Sequence, residues 1–256
     1  CDPALSDPAK TLARFRERGV DVVSIATGLR FDEPVYPPVL GHALRDYEGP
    51  VRECKRAVEL SAQLECPIVR VFGFELARTD SLASGTARVV ERLGLAAATA
   101  LNAGVRVALE SGGSFSRATD LVTLLDRVNS PLLGASYNAA VAQAAGEDPV
   151  EGAALLGQRL LCLKLKDLRN GRPVALGEGQ MVTRPVVEAL ARAGSRVPVV
   201  YEYDAAWLPT GERGDDAVRD VLRRSARALG QWIGGAVTAR RARVVAASAA
   251  RATQAV

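Results

Sequence analysis

Leu160 to Asp167, LLCLKLKD, is the stretch on which the reading of this chain turns. One parity is apolar (Leu161, Leu163, Leu165), as expected for a sheet face covered by helices; the other carries Cys162, Lys164 and Lys166. A charge is rarely buried without a partner, so such a strand must aim its lysines into a polar cavity or meet carboxylates. Two further strand-like runs end in acids: RVALES, with Glu110, and VPVVYEYD, with Glu202.

Outward from this strand, short β-branched runs alternate with helical patterns. The strand-like runs are Asp21 to Gly28, Ile68 to Phe74, Val105 to Ser111, Leu132 to Asn138, Leu160 to Asp167 and Val197 to Asp204. Helical periodicity covers Pro50 to Glu65, Ser81 to Asn102, Ala118 to Val128, a segment begun by Asp148 and Pro149, Thr183 to Ala193, and Asp215 to Ile233. The loops FDEPVYPP and RNGRPVALGEGQ fit neither period. Six alternating strands predict parallel pairing with right-handed crossovers, in an open doubly wound sheet or a closed (β/α)8 barrel. No strand is followed by GxGxxG and no P-loop occurs. Polar residues cluster at the C-terminal ends of strands, where barrel enzymes build their sites. The expected fold is therefore a TIM barrel over residues 1–235, followed by an Ala/Arg-rich tail at 236–256. Six strands do not close the usual barrel, so the chain is expected to lack the first two βα units, consistent with a start at Cys1 rather than Met.

The 256 residues, 48% hydrophobic and 24% charged, suit a large globular unit. The tail arginines Arg240, Arg241, Arg243 and Arg251 account for the whole formal charge of +4, leaving the body near neutral and arguing against nucleic-acid binding. Cys1, Cys54, Cys66 and Cys162 form no CxxC or zinc spacing, which points to reduced thiols and a cytoplasmic setting. No run reaches the length of a membrane span. The expected partner is a small molecule, with homo-oligomerisation left open.

In the order VRVFGF (69–74), VALES (107–111), GASYNAAV (134–141), EDPVE (147–151), LKLKD (163–167), LGEG (176–179) and VVYE (199–202), the chain resembles the xylose-isomerase-like barrels, the sugar phosphate isomerase and epimerase group. The resemblance implies a divalent metal held by Glu, Asp, His and Glu from successive strands. The first and last fall on Glu110 and Glu202, but Asn138 stands for the aspartate and Lys164 for the histidine. The single histidine, His42, lies in another segment, which also excludes the multi-zinc abasic-site endonuclease reading.

An ammonium has no lone pair to donate, so manganese or magnesium is disfavoured and no metal or other cofactor is expected. Two carboxylates ~4 Å apart repel by about 4 kcal/mol at an intermediate dielectric, and Lys164 is expected to occupy the vacated metal position between Glu110 and Glu202. Glu110 and Glu202 would then be acid and base, with Lys164 stabilising an enediolate by its charge. Arg70 and Lys166 are candidates for an anionic group, Asn138 for a substrate hydroxyl and Glu178 for a rim contact. The expected activity is proton transfer between adjacent carbons of a small polyhydroxylated carbonyl compound. The alternative is a non-catalytic ligand-binding or degenerate barrel of the same superfamily.

Overall fold

A computed structural model describes residues 7–32, 49–73, 75–205, 208–209 and 214–254, with side chains from 240 onward left undescribed. The chain is an α/β fold whose main sheet is parallel and six-stranded, in the order Ile25–Arg30, Ile68–Phe72, Arg106–Glu110, Leu133–Asn138, Leu160–Leu165, Val199–Tyr201. It divides into two compact units, residues 1–137 with 155–162, and residues 138–154 with 163–256.

The first unit holds α1 (Pro8–Glu17), β1 (Ile25–Arg30), α2 (Gly49–Gln63), β2 (Ile68–Phe72), α3 (Leu82–Thr99), β3 (Arg106–Glu110), α4 (Ala118–Val128), most of β4 (Leu133–Asn138) and the start of β5 (Leu160–Leu165). Helix starts follow local chemistry: Asp7 caps α1 by accepting from Lys10 N at 3.1 Å, and Ser81 caps α3 by accepting from Ser84 N. Helix α4 stops at Asn129 in the left-handed region, which asparagine tolerates better than most residues. Strand β4 is buried at every position, as a sheet covered on both faces requires. Ile68, Ala108 and Leu161 form part of the apolar core. A Cβ on Gly134 would lie 2.6 Å from Arg159 O, so only glycine lets these backbones approach so closely.

The second unit holds α5 (Ala139–Ala144), α6 (Pro149–Leu156), the end of β5, a two-stranded ribbon β6 (Leu168–Arg169) and β7 (Arg172–Pro173), α7 (Thr183–Ala193), β8 (Val199–Tyr201) and α8 (Asp215–Gln254). The β6–β7 ribbon sits inside what the sequence reads as an irregular loop. Asn170 and Gly171 both take positive φ, 51° and 76°, as a tight two-residue hairpin turn demands. The Asn-Gly pair was the available signal. Helix α8 continues through Gly235 and Ala236 without a break. The first and last strands are shorter or shifted relative to expectation, β1 starting at Ile25 and β8 ending at Tyr201. No helix of the described residues is long and apolar enough to cross a membrane.

Candidate active site

In the first unit the register sets Arg70 of β2 opposite Ala108 of β3 and Phe72 opposite Glu110. Glu110 is thus two residues beyond the partner of Arg70 on the same face, a diagonal within reach of a long side chain. Arg70 Nη1 donates to Glu110 Oε2 at 2.6 Å and Nη2 to Thr27 O at 2.9 Å. The guanidinium lies 4.1 Å from the centroid of the Phe72 ring, a cation–π contact. Glu110 is buried and Arg70 half-buried, with side-chain exposures of 6% and 14%. The buried Arg70 Nε takes no hydrogen bond among the described residues. Arg70, a candidate for a ligand anion, faces an acid of the neighbouring strand.

The second unit repeats the geometry. Lys164 of β5 pairs with Val200 of β8, and Glu202 lies two residues further on. Glu202 is held beside β5 by its N–H, which donates to Leu165 O at 2.8 Å. Lys164 Nζ, almost wholly buried, stands 2.5 Å from Glu202 Oε1. Lys166, one step along the same face, reaches Asp204 Oδ2 at 2.7 Å and Glu202 Oε2 at 3.4 Å. The result is two cations and two acids in alternation. Burial pushes the Glu202 carboxyl upward, but hydrogen bonds and charge from Lys164 and Lys166 outweigh it and hold the group below the usual glutamate range. Burial likewise lowers Lys166, and Asp204 with Glu202 more than reverse this, raising it above the usual lysine value. Asp204 was missed in the sequence, although its parity with Glu202 in VYEYD places both on one face.

The remaining candidates make local contacts. Asn138 closes β4 and caps α5, its Oδ1 accepting from Val141 N at 3.3 Å. Glu178 pairs with Arg224 on α8, and its backbone carbonyl accepts from Arg169. Asp167, buried, accepts from the backbone N–H groups of Gly177, Gly179 and Met181 at 2.8, 3.2 and 3.2 Å, and so shapes the LGEG loop. His42 and Phe74 lie outside the described residues.

Among the described residues no group of three or more His, Cys, Asp and Glu side chains is placed to hold a metal ion. Of the positions that resemble the family's ligands, Glu110 faces a guanidinium and Glu202 an ammonium, and Asn138 Oδ1 faces a helix N–H.

Several solved structures share the fold. A xylose isomerase domain protein from Planctomyces limnophilus has TM-score 0.67 at 22% identity, covering 91% of this chain and 86% of its own. An L-ribulose 3-epimerase has TM-score 0.71 at 18% identity, covering 96% and 85%. The IOLI protein, solved with a bound zinc atom, has TM-score 0.70 at 14% identity, covering 91% and 83%. No curated protein sequence matches the chain. The family model described as xylose isomerase-like TIM barrel matches residues 2–228. With a match of that extent and this order of strands, the chain belongs to the xylose isomerase-like TIM barrel family.

Proposed function

We propose that the chain is an isomerase or epimerase that moves a proton between adjacent carbons of a small polyhydroxylated carbonyl compound, using a lysine where relatives place a metal ligand. The observation that carries this reading is the buried Lys164 ammonium against Glu202, at a position that the family resemblance gives to a histidine. The donor set does not suit a divalent ion, because an ammonium offers no lone pair and each carboxylate already faces a cation.

In this reading Glu202 is the base. Its lowered pKa keeps it ionised through the neutral range, and its side chain retains 30% exposure, so a substrate can reach it. Glu202 takes the proton from the hydroxyl-bearing carbon next to the carbonyl and returns it to the former carbonyl carbon, while the hydroxyl proton passes to the former carbonyl oxygen. Lys164 offsets the negative charge that grows on the enediolate oxygen meanwhile. The same cations weaken Glu202 as a base and stabilise the product of its action, a balance that favours charge stabilisation as the larger contribution. Glu110, oriented by Arg70, is the candidate for a second acid–base role. Because Arg70 and Lys166 already face carboxylates, the substrate is better read as uncharged than as phosphorylated.

The second reading is a binding protein without turnover, favoured by the closed alternation of Lys164, Glu202, Lys166 and Asp204, in which each described charge has its opposite. Deuterium incorporation separates the two. With ketoses and aldoses in deuterated buffer containing a chelator, the enzyme reading expects label at the carbon next to the carbonyl. Binding of a sugar without any label would leave the second reading.

A further inference from the structure

The N-terminal ends of the strands in the first unit hold a cavity that neither stability nor the proposed reaction explains. It measures about 460 Å³ and is framed by the starts of β3 and β4, the turn after α4, and the segment entering β5. Arg106, the first residue of β3, lines it. Four residues separate Arg106 from Glu110, roughly 13 Å along the strand, so the cavity opens at the opposite end from the acids. That end of a barrel strand normally serves packing alone.

Its lining is mixed, with side-chain donors set beside the apolar Leu125, Pro131, Leu133 and Leu161. The guanidinium of Arg106 and the side-chain amides of Asn129 and Gln158 have no hydrogen-bond or ion-pair partner among the described residues. The Ser130 hydroxyl oxygen accepts from Leu132 N at 3.3 Å and keeps its own proton to donate. Arg159 is paired with Asp126, which neutralises the one acid of the lining and leaves the charge of Arg106 in excess. The Arg159–Asp126 pair links the segment entering β5 to α4, and Asn129 takes the left-handed conformation at the helix end.

We propose that this cavity is a binding site for a small molecule bearing an oxyanion, a phosphate or a carboxylate, with Arg106 as its charge partner and Asn129, Ser130 and Gln158 as neutral donors. A planar guanidinium presents paired N–H groups that match either oxyanion, and the volume admits a small organic body beyond the charged group. The site is independent of the proton-transfer reading.

Titration of the full chain with inorganic phosphate, and separately with malonate, followed by amide resonances in heteronuclear NMR, tests this. Saturable shifts at Arg106, Asn129, Ser130 and Gln158 are expected with at least one of the two, and the stronger of them identifies the oxyanion. Arg106→Gln, at an exposed position that leaves the core untouched, is expected to weaken that binding by about tenfold or more. Arg127→Gln, an equal change of charge on α4 outside the lining, is expected to leave it unaltered. Absence of localised shifts with both anions, or equal weakening by the two variants, overturns the proposal.

Discussion

Lys164 stands to Glu202 as Arg70 stands to Glu110. In each case the cation sits on one parallel strand, and the acid lies two residues beyond the cation's register partner, Glu110 at the end of β3 and Glu202 just past the end of β8. Nitrogen and oxygen are 2.5 and 2.6 Å apart. Lys166 and Asp204 extend the same offset by one step, at 2.7 Å. This diagonal lets a long basic side chain lean along the strand and meet a carboxylate at the C-terminal end of its neighbour. The consequence for each pair can be measured.

Arg70→Met should destabilise the protein by about 3 kcal/mol, because Glu110 would remain buried as an unpaired carboxylate. Arg70→Met combined with Glu110→Leu should recover much of that loss, since no charge is then left behind. Urea unfolding of both variants checks the sign of the difference; a double variant no more stable than the single one would point to packing over Phe72 as the main contribution.

Lys164→Met should reduce deuterium incorporation into substrate by at least about a hundredfold, as removal of a preorganised charge from a developing oxyanion does. Chelation of the unmodified protein should leave the rate unchanged. Loss of activity on chelation, with recovery on adding manganese, would return the reaction to a metal.

Stability should depend on pH through the second cluster with a defined sign. Glu202 has a folded pKa below its ordinary 4.5, so its contribution is complete above that value and fades as the pH falls through the folded pKa. Lys166 has a folded pKa above its ordinary 10.5, so its contribution is complete below that value and fades as the pH rises through the folded pKa. The stability difference between the unmodified protein and Glu202→Gln should accordingly be flat at neutral pH and shrink in acid. Denaturant midpoints across the acid range give the measurement.

Gly134→Ala should cost about 2 kcal/mol, since the added Cβ would lie 2.5 Å from Leu161 Cγ and 2.6 Å from Arg159 O, and backbone cannot yield as a side chain does. Gly94→Ala, where the nearest atom is 4.0 Å away on Val128 and the backbone is helical, should instead be neutral or stabilising. Thermal unfolding of the two variants provides the comparison.

How much of this could be read in advance differs from residue to residue. Helices α4 and α7 start and stop where the sequence places them, because Asn129, Gly194 and the apolar period are local signals. The β6–β7 ribbon escaped because two-residue strands have no period of their own, and only Asn170-Gly171 marks the turn. Asp167 organises the LGEG turn through backbone N–H groups 10 to 14 residues further on, a contact no local pattern marks. Arg70 was legible as a candidate for an anionic partner, but that Glu110 faces it was not. Asp204 was passed over, although it shares a face with Glu202.

What the sequence determined by itself was the alternation of strand and helix, the parallel sheet, and the face of each strand on which its charges lie, because these follow from periods of two and 3.6 within a few residues. What only the tertiary structure decided was which acid each base meets. Arg70 and Glu110 are 40 residues apart, and Lys166 and Asp204 are 38 apart, each pair separated by a crossover helix. The register between parallel strands is set by the packing of those crossovers, and a shift of two residues would keep every side chain on its face while exchanging every partner.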